Sequence, residues 1–128
     1  MRNSNRGITL IELLVVIVIV AILAAIAIPV YTNYLQRVRR ADAKTALEQL
    51  RAAQEMFRAE RGAYSTDIAQ LRGTWGVPAV SGDYAILMNS STATTFFAEA
   101  RPTTTRQAGE NLFIDQNGVK TPADKWAK

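Results

Sequence analysis

Residues 13 to 30, LLVVIVIVAILAAIAIPV, contain no charged or strongly polar side chain. Eighteen helical residues extend about 27 Å, close to a bilayer hydrocarbon core of about 30 Å. Counting from Ile8 makes the run long enough to cross. Such a helix has two stable surroundings, lipid or other apolar protein, because its bare surface is far too large for water. Near its start stands one carboxylate, Glu12, with no basic residue beside it. An ionised side chain at a bilayer centre costs about 2.5–3.5 kcal/mol on insertion scales. A segment that only anchors has no reason to carry one.

Two ordinary readings of this run compete. A secretory signal peptide would use Arg2 and Arg6 as its basic start and Ala25-Ile26-Ala27 as a small-x-small cleavage site. Glu12 inside the apolar stretch and Pro29 just past that cut argue against it. A plain single-pass anchor is the other. Arg2 and Arg6 flank one side and Arg37, Arg39 and Arg40 the other, so flanking charge hardly orients it.

Composition removes whole classes of chemistry. The 128 residues leave room for one modest domain beside the apolar run. There is no Cys, hence no disulfide and no thiolate site. There is no His, the usual general base and metal ligand. No Gly-rich phosphate loop appears, so the chain reads as no enzyme and needs no cofactor or metal. The net charge of +4 falls to +2 without residues 1–7, from 13 basic and 11 acidic side chains. That balance gives no support to DNA as a partner.

Gly7, then Ile8-Thr9-Leu10-Ile11-Glu12-Leu13, then the run ending Ala24-Ala25-Ile26-Ala27-Ile28-Pro29, resembles the prepilin leader and N-terminal helix of type IV pilins. Arg39-Arg40-Ala41-Asp42-Ala43-Lys44 and Asp115-Gln116-Asn117-Gly118-Val119-Lys120 look like the PilE-like type IVa group. The resemblance implies cleavage between Gly7 and Ile8 and N-methylation of Ile8. It implies a precursor held in the bacterial inner membrane, a prepilin peptidase/methyltransferase, and a pilus assembly machinery. It also implies a homo-oligomeric helical filament, shared with other pilins, outside the cell. Such filaments support adhesion, twitching motility or DNA uptake. Three departures stand out: Ile8 where the family usually has Phe, Ala21 where it often has Gly, and no cysteines for the C-terminal disulfide common in PilE-like pilins.

The resemblance supplies Glu12 with a partner. Cleavage after Gly7 creates an amine on Ile8 with a reference pKa near 8. In a filament core of packed apolar helices an unpaired charge is expensive. The amine of a neighbouring subunit set against Glu12 removes two penalties and favours one axial stagger, as polar core residues do in coiled coils. The plainer alternative is that Glu12 only answers its own helix N-terminus.

Pro29 cannot donate to the carbonyl of Ala25, so a kink or break is expected in a helix from about Ile8 to Arg61. Related pilins partly unwind before this proline on assembly; Ala21 in place of Gly would resist that by about 1 kcal/mol.

The rest reads as a globular region, residues 31–128: an amphipathic helix at 31–61, a loop region at 62–82, and sheet plus C-terminal region at 83–128. Tyr31, Leu35, Val38, Leu47, Leu50 and Phe57 mark a buried stripe. Glu48 with Arg51 and Glu55 with Arg58 read as exposed pairs. Arg37, Arg40 and Lys44 read as a solvated basic stripe near lipid headgroups. Gly62 reads as a C-cap, and Ser65-Thr66-Asp67 can cap a short turn of helix carrying Ile68 and Leu71. Strands are expected at Tyr84–Met88, Thr94–Ala100, Asn111–Asp115 and Val119–Thr121, with Asn117-Gly118 as a hairpin turn rather than a metal loop. Trp75 and Trp126 read as packing. The expected fold is α+β, a long N-terminal helix whose second half packs on an antiparallel sheet of about four strands.

The expected function is a structural subunit of a type IV pilus. A pseudopilin of a type II secretion system, or a minor pilin, is the alternative. Tyr64 is followed by Ser65 rather than by proline, which favours the pilin over the pseudopilin.

Overall fold

The computed structural model describes residues 6–127. The chain forms two units, Met1–Leu35 and Gln36–Lys128. Helix α1 (Leu10–Arg61) contributes to both. In the first unit, every helical side chain from Leu10 to Leu35 is exposed, apart from partly covered Ala24 and Leu35. The best 18-residue window of α1 has a mean hydropathy of 3.4. The helix does not end at Pro29, which costs one hydrogen bond out of a long ladder. Thr32 Oγ1 donates to the Pro29 carbonyl at 3.0 Å.

The second unit is an α+β body. After α1 come α2 (Ile68–Trp75), strands β1 (Val80–Ser81), β2 (Tyr84–Ser91), β3 (Phe96–Pro102), β4 (Leu112–Asp115) and β5 (Lys120–Thr121), then α3 (Ala123–Ala127). The strands form one antiparallel meander in the order β1-β2-β3-β4-β5. Five strands stand where about four were expected. The added one, β1, turns back through Gly82 and pairs Val80 with Ala85 and Ser81 with Tyr84. Gly82 has φ +56°, which a side chain would resist. At two residues, β1 is too short for alternation to reveal.

The core sits between α1 and one face of the sheet. On α1 the buried positions are Ala43, Ala46, Leu47, Leu50, Ala53 and Gln54, spaced by three and four. Against them lie Tyr84, Ile86, Ala98, Ala100, Leu112 and Ile114. The helix side of this contact thus carries three alanines and the sheet side two, which let helix and sheet approach closely. The expected stripe is corrected accordingly. Leu47 and Leu50 are fully buried, Phe57 packs partly on the core, and Tyr31 and Val38 are 62% and 41% exposed.

Gln54, wholly buried, acts as a clamp. Its Oε1 accepts from the Ser65 N–H at 2.8 Å and its Nε2 donates to the Ser65 carbonyl at 3.0 Å. The side chain thereby pairs with backbone as a neighbouring strand would, and satisfies a loop that leaves α1 through Gly62. Asp67 caps α2 by accepting from the Ala69 N–H at 2.8 Å.

The C-terminal segment closes without sulfur. Strand β5 pairs with β4 through Ile114–Lys120 and Phe113–Thr121. Asp115 Oδ1 accepts from the N–H groups of Asn117 and Val119, both at 2.9 Å, which shapes the turn. Trp126 Nε1 donates to the Thr121 carbonyl, while Lys44 Nζ donates to the Trp126 carbonyl at 2.8 Å. Lys120 lies over the Trp126 ring, 5.0 Å from its centre, and pairs with Glu48 at 2.5 Å. Lys125 donates to the Gly109 carbonyl.

Candidate functional site

The residues singled out by sequence lie at the start of α1. Residues 1–5, with the Arg2 expectation, fall outside the described residues. Gly7 and Ile8 precede the helix in irregular backbone, and Ile8 is 75% exposed. Nothing lies within 4 Å of where a Gly7 side chain would stand. The Gly7–Ile8 junction is therefore open.

Thr9 is the N-cap. Its carbonyl accepts the first helical bond from Leu13 N–H at 3.1 Å. Its Oγ1 accepts from the Glu12 N–H at 3.2 Å, and Glu12 Oε2 accepts from the Thr9 N–H at 3.5 Å. This is a capping box, Thr-x-x-Glu, with a firm forward bond and a long return one. Thr9 was missed by reading the run for charge alone. The three-residue spacing from Thr9 to Glu12 is the signal that could have found it. In the single chain Glu12 thus faces its own helix end. Its return bond is weak and its carboxylate stays open to a stronger donor.

Pro29 lies 17 positions further along α1 and is not brought near Glu12 by the helix. Leu23, Ile26, Ala27, Val30, Tyr31 and Tyr34 form an open apolar groove on the same segment. The site is therefore a long bare surface with one carboxylate near its tip. Such a surface is suited to association with lipid or other apolar helices.

The charged positions of the second unit differ from expectation. Of the basic stripe only Arg37 is fully exposed. The Arg40 side chain is 11% exposed and pairs with Glu110 at 2.5 Å. Lys44 is half-buried, and burial, aided by Arg40 and Lys120, lowers its pKa from the ordinary lysine value. These side chains anchor the C-terminal segment instead of facing headgroups. Glu48 reaches Lys120 rather than Arg51. Glu55 and Arg58 meet on the Tyr64 hydroxyl, at 2.7 and 3.1 Å. Long side chains find partners on other elements once the chain folds, and helix spacing cannot foresee this. Among the described residues, no group of three or more metal-ligating side chains occurs.

Glu99 is a buried carboxylate on β3. It accepts from Asn111 Nδ2 at 2.5 Å, from Asn89 Nδ2 at 2.8 Å, and from Arg101 NH2 at 2.8 Å. Burial alone would push its pKa up. The hydrogen bonds from Arg101, Asn89 and Asn111 outweigh burial and hold it below the ordinary value of 4.5. A depressed folded pKa gives stability that is present above the unfolded pKa and lost as pH falls through the folded one. Thermal unfolding across a pH series is therefore expected to show a drop in melting temperature below about pH 4.5. Glu99→Gln should flatten that drop relative to wild type. An unchanged slope would mean that other carboxylates carry the acid sensitivity.

Comparison with known proteins agrees with this architecture. Residues 2–28 match the prokaryotic N-terminal methylation motif. Residues 29–111, more than half the chain, match the family described as type IV minor pilin ComP, DNA uptake sequence receptor. The type IV major pilin protein PilA of Myxococcus xanthus is 49% identical over 61 residues, 48% of this chain and 28% of the relative. The match thus spans well under a third of that curated protein. The solved structure of a type IV pilin from Shewanella oneidensis superposes with a TM-score of 0.55 and 26% identity, over 69% of this chain and 92% of that one. A methylation motif that runs into a long exposed apolar helix fits a membrane-anchored precursor processed by a prepilin peptidase. The motif, the helix, the sheet behind it and the matched profile agree, and the chain belongs to the type IV pilin family.

Proposed function

We propose that this chain is a structural subunit of a type IV pilus filament. It waits in the inner membrane as a single-pass precursor and polymerises through its N-terminal helix. The observation that carries the reading is the segment Leu10–Val30, long enough to span a bilayer and bare on all sides. In the membrane lipid covers it; in a filament other copies of the same helix would. The domain scheme follows: residues 1–7 as leader, 8–30 as membrane and filament-core helix, 31–128 as globular domain. Pro29 would serve as the point of bending within the core. In this scheme the Glu12 carboxylate leaves its long bond to the Thr9 N–H and takes the Ile8 amine of a neighbouring subunit.

Processing tests the reading. Cleavage between Gly7 and Ile8 with one added methyl group on Ile8 is the expected outcome. Intact-mass measurement and N-terminal peptide mapping of the membrane-bound protein decide it. A mature chain starting at Ile28 would identify an ordinary secreted protein and remove the pilin role.

A second reading is a minor pilin that receives DNA, and the description of the family matched at residues 29–111 favours it. The near balance of charge beyond residue 7 argues for a weak electrostatic contribution. A type II secretion pseudopilin has less support, since both named relatives are pilins.

A further inference from the structure

A groove of about 280 Å³ lies between the last turns of α1 and helix α2. We propose that it binds a single neutral hexose ring, free or within an oligosaccharide. Its apolar wall is Phe57 and Trp75, edge to face with ring centres 5.8 Å apart. Both aromatic rings are only partly buried. Sugar rings present C–H faces that lie against such aromatic surface, and the indole combines large apolar area with a rigid shape.

The polar rim fits hydroxyl groups. Glu60 supplies acceptors, Arg61 donors and Thr74 either. Gln70 stands 3.0 Å from the Ser65 hydroxyl, whose single proton also faces the Asp67 carbonyl at 2.8 Å. The exposed Gln70 amide offers both a donor and an acceptor to a ligand. Arg61 is held over the Phe57 ring, 5.5 Å from its centre, so its donors stand at the groove edge. Adjacent hydroxyls of a sugar both donate and accept, and a carboxylate beside donors suits such a pair. Gly73 adds no side chain to the wall, and nothing lies within 4 Å of where one would be.

Charge and size choose the ligand class. One carboxylate and one guanidinium leave the rim neutral, so a phosphate backbone gains little and meets Glu60. The volume is just under the range of about 300–1,000 Å³ usual for small-molecule sites, which suits one ring. The site is remote in sequence from the apolar segment.

Trp126→Phe leaves Trp75 as the one tryptophan, since the chain has two. The full chain carrying this change, in a zwitterionic detergent without sugar, is titrated with methyl glycosides of glucose, galactose and N-acetylglucosamine, and with a short DNA duplex. The expected result is a saturable change in Trp75 fluorescence with at least one glycoside, at millimolar affinity. Glu60→Ala and Gln70→Ala, both at exposed positions, should each weaken it about tenfold, the loss of one hydrogen bond to a well-placed partner. Circular dichroism confirms their folding. No saturable response to any glycoside, binding indifferent to both variants, or a response to DNA alone would each overturn the proposal.

Discussion

Glu12→Ala is expected to remove long filaments while leaving a normal pool of membrane-embedded subunit. Insertion should not suffer, because the change makes the run more apolar. The compact unit Gln36–Lys128 should not suffer either, because Glu12 lies outside it. What fails is assembly. The Ile8 amine of each incoming subunit would enter the apolar core alone, and leaving one member of a buried charge pair unpartnered costs about 3–5 kcal/mol. That cost recurs at every subunit. Glu12→Gln should be nearly as harmful, since it keeps the shape and loses the charge. The capping box offers a rival explanation, and its magnitude separates the two. Losing an N-cap costs about 0.5–2 kcal/mol, and a helix-dipole contribution about 0.3–1 kcal/mol. Thr9→Ala removes the firm bond of the same box and keeps the carboxylate. It should therefore leave filaments at a reduced yield. The measurement is the ratio of sheared filament to membrane-bound subunit for wild type and the three variants. Equal defects in Thr9→Ala and Glu12→Ala would reduce Glu12 to a cap, and a normal yield from Glu12→Ala would remove it from assembly altogether.

The second large effect is expected at Gln54, by stability rather than assembly. Gln54→Ala deletes both bonds to Ser65, whose N–H is buried and has no other partner among the described residues. An unsatisfied buried donor and the cavity left behind together cost about 2–4 kcal/mol. Gln54→Leu divides these contributions. It restores most of the volume but leaves the N–H unpaired. If hydrogen bonding dominates, leucine rescues little and both variants melt well below wild type. Near-complete rescue by leucine would mean that packing alone holds the loop. The Ser65 carbonyl is less exposed to the change, because the Ser91 hydroxyl also donates to it at 2.6 Å. Thermal unfolding of the full chain in detergent, followed by near-ultraviolet circular dichroism, gives the comparison.

These two residues show where the sequence could be read and where it could not. Glu12 stood out, because a lone carboxylate in an apolar run needs a donor, and in the single chain that donor is the Thr9 N–H. The helix bounds, the Asp67 cap and the Asn117-Gly118 turn were likewise local events, decided by the residues that carry them. Gln54 gave no such sign. A glutamine among helix-forming residues looks solvated, and only the fold brings Ser65 from eleven positions away to meet it. Ala43, Ala46 and Ala53 were silent for a related reason. Alanine on a helix fits water and core equally well, and the sheet decides which. Arg40 and Lys44 look like a surface stripe until a segment some seventy to eighty residues later folds back over them. Thr9 was legible and overlooked, since attention to burial hid a spacing rule about backbone donors.

The C-terminal closure sets the conditions under which the protein matures. A pilin stapled by sulfur has to wait for an oxidant before its last loop is fixed, and it loses that loop to reductants. Here β5, Trp126 and the lysines around it hold the C-terminal segment by strand pairing, hydrogen bonds and ring contacts alone. Folding of the head is thus uncoupled from thiol oxidation. The fold can be completed in anoxic or reducing surroundings, and dithiothreitol should leave its melting temperature unchanged.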